Sequence, residues 1–277
     1  MTVPKQARQR TDDGPRTYPW PPQPPHEMEL LSVTSAMKSL NKPFLVGWAA
    51  KMSAECAVED MDIIAAMLKK KNGKKAALDY LKQARYRDSS GKADRGTVVH
   101  AAVEAYLAGQ KIDLDHVQFQ LEEKQVPEAL WPATYKMIDG TLEFLYDFEP
   151  EILWSEATVY SREHGYAGTG DIIAMIRIGR SKLPAVIDIK TGKAIYNEVA
   201  MQLTAYGRAD FVGLDDGTEE PLLPSGDPIR HGICLRPTAS GKYEHANYDL
   251  TDEVFDKFLA CLELSDADRV LARARRA

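Results

Sequence analysis

Between Glu151 and Lys190 the chain carries three β-type segments in succession. "EILWSEATVYS" alternates and is rich in β-formers, "DIIAMIRI" is a second such run, and "AVIDIK" is a third. The glycine-bearing stretches "REHGYAGTG" and "GRSKLP" separate them as turns. Consecutive strands on short turns pair as neighbours, so this stretch commits the chain to an antiparallel meander. The third strand holds Asp188 and, two positions on, Lys190. Alternate residues of a strand share a face. A carboxylate and an ammonium therefore project together, flanked by apolar Ile187 and Ile189.

The meander is framed by helical sequence. From Ser32, apolar residues recur at three- and four-residue spacing. Pro43 is placed to start a helix running toward Lys70, and Asn72-Gly73 to break it. Further helices are expected over Lys74 to Tyr86, from near Asp94 to Ala108-Gly109, and from Val126 to Phe148. After the meander, "NEVAMQLTAYGRADF" reads as an amphipathic helix and acidic "GLDDGTEEPLLPSGDP" as a loop. "IRHGICLRP" and "YEHANYDL" read as a hairpin, and a last helix is capped by Thr251. The expected fold class is α/β, a small mixed sheet framed by helices with a helical N-terminal half. Residues 1–31, polar and then proline-rich, are expected to be a disordered arm. Residues 32–277 are expected to form one domain, helical over 32–150 and sheet-containing over 151–277. No internal repeat is evident.

At 277 residues, 44% hydrophobic and 27% charged, the composition is that of an ordinary soluble globular protein. No apolar run is long enough for a membrane span, and the N-terminus has no signal-peptide core. Cys56, Cys234 and Cys261 are scattered, which gives no disulfide framework and fits a reducing cytoplasm. They also fall short of the four thiolates an iron–sulfur cluster normally takes, so no cluster is expected. The net charge of −6 argues against a general polyanion binder, but its distribution is uneven. From Lys69 to Arg95 there are ten Lys and Arg against three acids. This segment, with Lys74, Lys75, Arg85 and Arg87, is either a solubilising helical surface or a track for a phosphate backbone. In the arm, Lys5, Arg8, Arg10 and Arg16 face the same choice, with solvation as the ordinary reading.

An isolated D-x-K triplet is usually a structural ion pair; its surroundings carry the argument. Asp171 opens the strand that turns into the Asp188 strand, so the two carboxylates can converge. Carboxylates brought together repel, and a divalent cation resolves the repulsion; an oxygen-rich set suits Mg²⁺ or Mn²⁺. Gly165, Gly168 and Gly170 fit a tight turn or a close backbone approach to a ligand. Lys190 beside a metal-bound water can orient or deprotonate it, or stabilise charge on a phosphoryl oxygen. Gln202 and Tyr206 share a helix face four residues apart. His100, in "RGTVVHAAVEAYLAG", is a competent metal ligand, although a lone helical histidine is more often structural.

In this order the residues resemble the PD-(D/E)XK nuclease superfamily, in its RecB-like branch, near phage-encoded and CRISPR-associated exonucleases. That pattern has a histidine on an early helix, an acid after a G-x-D turn, a D-x-K strand and Q-x-x-x-Y on a helix. His100, Gly170-Asp171, Asp188-Ile189-Lys190 and Gln202 to Tyr206 match it in order. The resemblance implies a restriction-endonuclease-like core and a metal site of His100, Asp171, Asp188 and the Ile189 carbonyl. Asp171, Asp188 and Lys190 would be catalytic, Glu156 a supporting acid, and Gln202 and Tyr206 a support for the site or a hold on DNA. It implies a Mg²⁺- or Mn²⁺-dependent deoxyribonuclease, an exonuclease in recombination, repair or processing. Its partners would be DNA and a recombination or single-strand-binding protein. A structure-specific endonuclease and a non-catalytic DNA-binding member are the alternatives. Many members carry four cysteines around this core; this chain does not.

Overall fold

The computed structural model describes residues 6–9, 14–40, 42–265 and 267, with the backbone alone at 88 and 89. Lys5 and Arg10 of the expected arm, and the chain beyond 267, lie outside the described residues. In chain order the elements are β1 (Arg8–Gln9), β2 (Arg16–Trp20), β3 (Met28–Ser32), α1 (Val33–Ala36), α2 (Phe44–Glu59), α3 (Met61–Leu68) and α4 (Gly73–Lys82). Then come α5 (Ala84–Leu107), α6 (Leu114–Glu123), α7 (Trp131–Phe148), β4 (Glu151–Ser161), β5 (Tyr166–Ile178) and β6 (Ser181–Ile189). The chain continues with α8 (Val199–Gly207), β7 (Phe211–Gly213), β8 (Glu219–Glu220), β9 (His231–Pro237), β10 (Tyr243–Asp249) and α9 (Asp252–Leu264).

The protein is a mixed α/β structure around a mixed sheet. β4, β5 and β6 form the expected antiparallel meander. β6 then pairs in parallel with β9, and β9 antiparallel with β10. On the other flank β4 pairs with β7, and β7 with β8. β6 borders β5 only along residues 172–178, whereas β3 runs parallel to β5 at Tyr166 and Ala167. Between those two partners the edge of β5 over 168–171 is left open. Asp171 stands at that opening, where β6 ends.

The central strands β5, β6 and β9 are mostly buried on both faces, and their side chains alternate between two helical layers. Ile172, Ile187 and Ile233 pack with Val98, Val99 and Val103 of α5 and Met137, Ile138 and Phe144 of α7. Ile173, Val186 and Cys234 pack with Leu203 of α8 and Phe255 and Phe258 of α9. Both layers therefore meet at the open end of β6.

Several boundaries differ from the sequence reading. The proline-rich stretch expected to be disordered contributes β2 and β3, and Tyr18 and Trp20 are each 2% exposed. Trp20 lies against Tyr160 and Phe211, with centroids 4.8 and 5.1 Å away, and donates to Glu219 Oε1 at 2.9 Å. The prolines from Pro21 to Pro25 fill the connection between β2 and β3, and their density masked the β-forming residues on either side. The helix expected from Pro43 to Lys70 is two helices, divided at Asp60. The Asp60 carboxylate accepts from Tyr80 Oη at 2.8 Å and from Cys56 Sγ at 3.4 Å, and the backbone there leaves helical geometry. α5 begins ten residues before Asp94 and includes Gly91, which packs so closely on Pro127 that a Cβ there would lie 2.8 Å from its Cδ. α6, capped by Asp113, was not anticipated. At the other end Thr251 does cap α9, accepting from the Val254 amide at 3.4 Å.

Candidate active site

The turn expected over Arg162 to Gly170 is confined to Arg162–Gly165, and β5 starts at Tyr166. Gly165 has φ +75°, a turn conformation that favours glycine. Gly168 and Gly170 are strand residues with a different purpose. A Cβ on Gly168 would lie 2.7 Å from Tyr206 Cε1, and one on Gly170 would lie 3.5 Å from Tyr206 Cδ2. The glycines thus let the ring of Tyr206 lie flat on β5, just before Asp171. Tyr206 is 2% exposed and accepts a hydrogen bond on its hydroxyl from Gln202 Nε2 at 3.0 Å. Burial pushes its pKa well above 10.0. Tyr206 therefore supports the strand from beneath and, buried as it is, does not present its ring to a bound nucleic acid.

Three acids, a histidine and a lysine converge at the opening. Ser155 pairs with Ile172 and Ala157 with Gly170, which sets Glu156 opposite Asp171 across two strands. Glu156 has φ +49°, in the left-handed region. For a non-glycine residue within a strand that conformation costs on the order of 1–3 kcal/mol, and such strain collects at functional sites. The kink turns its carboxylate toward α5, where His100 Nδ1 lies 3.6 Å from Glu156 Oε1 and 3.4 Å from Asp171 Oδ1. One donor atom from each of these three side chains lies within 4.8 Å of the others. His100 Nε2 is 3.0 Å from the carbonyl oxygen of Ile189, and the Ile189 amide donates to Asp171 Oδ2 at 2.6 Å. The Ile189 backbone therefore locks both side chains to the end of β6.

The electrostatics follow from crowding. Burial opposes a charged imidazole, but Asp171 and Glu156 outweigh it and hold the His100 pKa well above 6.5. Burial likewise works against an ionised Asp171, yet His100, Lys190 and the Ile189 amide keep its pKa below the ordinary carboxylate value. Glu156 is raised by burial, with Asp171 adding to it and His100 opposing. A ring carrying two N–H groups would donate to Ile189 on one side and to the acids on the other. The Nδ1 proton occupies the space among donors of the kind a divalent cation takes, an imidazole and two carboxylates, whereas the Ile189 carbonyl lies against the opposite edge of the ring.

Asp188 is 2% exposed and adjoins this set. Lys190 Nζ lies 2.8 Å from its Oδ1 and 2.7 Å from its Oδ2, but only the first contact has hydrogen-bond alignment. Oδ2 stays buried without an aligned donor, an unmet acceptor beside the opening. Burial raises the Asp188 pKa, with Lys190 opposing and Asp171 adding. Burial would lower the pKa of Lys190, but Asp188 and Asp171 reverse that and hold the ammonium charged.

One neighbour escaped the sequence reading. Arg95, one turn before His100, is 9% exposed and donates from Nη2 to the carbonyl of Thr191 at 2.8 Å. Gly96 is confined beside it, since a Cβ would lie 2.8 Å from Thr191 Oγ1. The signal was present as Arg95-Gly96 ahead of His100, in the same helix.

The basic segment divides by role. Lys74, Lys75 and Arg85 are exposed on α4 and α5. Arg87 is committed to the fold: its guanidinium lies 4.0 Å from the centroid of Tyr80 and donates to Tyr80 O at 3.0 Å and Cys56 Sγ at 3.2 Å. The three cysteines are free and buried, on α2, β9 and α9. No helix among the described residues is long and apolar enough to cross a membrane. No protein-family model matches the chain, and no curated protein matches it significantly in sequence.

Proposed function

We propose that this protein is a divalent-cation-dependent deoxyribonuclease of the PD-(D/E)XK kind, with a restriction-endonuclease-like core. The observation that carries the reading is Glu156, bent into left-handed geometry within a strand so that its carboxylate joins Asp171 and His100 beside the Asp188–Lys190 pair.

His100, Glu156 and Asp171 are the residues to hold Mg²⁺ or Mn²⁺; Asp188 adjoins them, paired with Lys190, and the Ile189 carbonyl lies on the opposite edge of the imidazole. A cation bound there supplies polarisation of a phosphate oxygen and a water of lowered pKa. Lys190, held on Asp188, is placed to act on the attacking water or to donate to the phosphoryl oxygen as negative charge builds. Asp188 holds Lys190 in place for that task. Lys74, Lys75 and Arg85 offer exposed positive charge for the phosphate backbone.

Digestion of end-labelled linear DNA and covalently closed circles, with Mg²⁺, Mn²⁺ or EDTA, tests the reading. Linear DNA should be degraded with either metal and survive in EDTA, and closed circles should persist, as an exonuclease requires. Degradation in EDTA, or undiminished degradation by Asp188→Ala, refutes the site. Rapid cutting of closed circles leaves the site and refutes exonuclease action.

A further inference from the structure

The segment from Lys190 to Glu198 leaves the site at Lys190 and returns to it through α8, which carries Gln202 and Tyr206. It is pinned near its start by Arg95 on Thr191 O, and near its end by Lys42 Nζ on Glu198 Oε1 at 3.0 Å. Between these ties Tyr196 stands out from the surface and meets Phe44, the first residue of α2. The two rings are nearly parallel, at 8°, with centroids 5.9 Å apart. Both residues are about half exposed: Phe44 is 53% exposed and Tyr196 is 50% exposed. Leu45 and Val46 continue the exposed apolar surface, and Lys193 is exposed three residues before Tyr196. Six residues reach at most about 20 Å, so the pair lies within that distance of Lys190.

A lone exposed aromatic needs no explanation, but two aligned rings on separate elements, tied by an ion pair and joined to an active-site segment, form a built surface. Parallel, half-exposed rings beside a cation are what a single nucleic-acid strand uses: bases stack on the aromatics and the phosphates follow the charge. Inside a duplex both faces of each base are already covered by its neighbours, so an unpaired base alone can use such a shelf.

Resting on the nuclease reading, we infer that Phe44 and Tyr196 form a stacking shelf for an unpaired nucleobase, and that the substrate reaching the site is single-stranded DNA. The shelf holds a base of the strand whose scissile phosphate is presented to Lys190.

The test is fluorescence anisotropy of the full chain, in EDTA to prevent cleavage, with a labelled single strand of about 16 nucleotides and the matching duplex. Loss of base stacking costs about 1–3 kcal/mol, so the Phe44→Ala/Tyr196→Ala variant should raise the single-strand Kd about 5- to 150-fold and move the duplex Kd less than about twofold. Tyr196→Phe, which keeps a ring, should bind as the wild type does. Strands made abasic at successive positions should show one position that weakens wild-type binding, and that penalty should vanish in the double variant. A double variant that binds the single strand within about twofold of wild type, or loses duplex and single-strand affinity equally, overturns the inference and leaves the nuclease reading intact. A wild type that binds neither strand overturns both.

Discussion

Gly168 and Gly170 make a paired test of how the site is supported. They sit two residues apart on one strand, with the same neighbour, Tyr206. A methyl at 168 would lie 2.7 Å from Tyr206 Cε1 and 3.3 Å from Val33 Cγ2, whereas one at 170 would lie 3.5 Å from Tyr206 Cδ2. The first distance forces a shift, and the second is ordinary contact. Tyr206 cannot swing away cheaply, because it is buried and its hydroxyl is held by Gln202. Overpacking of this kind costs about 1–3 kcal/mol. Replacing glycine in an extended strand recovers about 0.4–1 kcal/mol through the unfolded chain. Gly168→Ala should therefore be destabilised by about 1–2 kcal/mol, and Gly170→Ala should be neutral or stabilised by up to about 1 kcal/mol. At about 2–4 °C per kcal/mol for a chain of this size, the two Tm values should differ by several degrees in differential scanning calorimetry. Gly168→Ala should also weaken Mn²⁺ binding, since β5 carries Asp171 three residues on. Equal Tm values for the two variants, or a lower one for Gly170→Ala, would refute the packing argument.

Three further outcomes follow. Because the His100 pKa is raised in the folded chain, its charged form contributes stability that is complete below pH 6.5 and fades as pH rises through the folded pKa. In EDTA the Tm advantage of wild type over His100→Gln should therefore shrink as pH climbs above 6.5, while Mn²⁺ affinity, measured by calorimetry, should rise over the same range. Trp20→Ala should cost about 3–5 kcal/mol in denaturant unfolding, as for a core tryptophan, whereas a disordered arm would give no change. Lys74→Glu/Lys75→Glu should raise the DNA Kd and leave Tm as in wild type; Arg87→Glu should lower Tm, because it removes the guanidinium that stacks on Tyr80 and donates to Cys56 and sets a second carboxylate near Asp60.

The meander and the Asp188–Lys190 pair were legible because their signals are local, whereas His100 and Glu156 enter the candidate set through a resemblance. Strand alternation placed β4, β5 and β6, and the spacing of Asp188 and Lys190 put them on one face, where their side chains meet. What stayed hidden depends on partners far away in sequence. The glycines at 168 and 170 read as a turn because the ring that needs their missing side chains comes more than thirty residues later. Gly91 lies inside α5, its missing side chain making room for Pro127, a partner more than thirty residues away. Trp20 disappeared into a proline-rich composition because its burial is against Tyr160 and Phe211. The resemblance gives Glu156 as a supporting acid but not its left-handed backbone, because no residue pattern announces a positive φ in a strand.

The central claim, that His100, Glu156 and Asp171 hold a divalent cation for phosphodiester cleavage, is tested most directly by electron paramagnetic resonance of Mn²⁺ titrated into the full chain. Wild type should bind Mn²⁺ with a coupled imidazole nitrogen in the spectrum. Asp171→Asn should abolish that bound species, His100→Gln should remove the nitrogen coupling, and Glu156→Gln should weaken the binding, all with linear-DNA cleavage lost in parallel. A wild type that leaves Mn²⁺ free in solution, or an Asp171→Asn variant that binds and cuts as wild type does, would contradict the account.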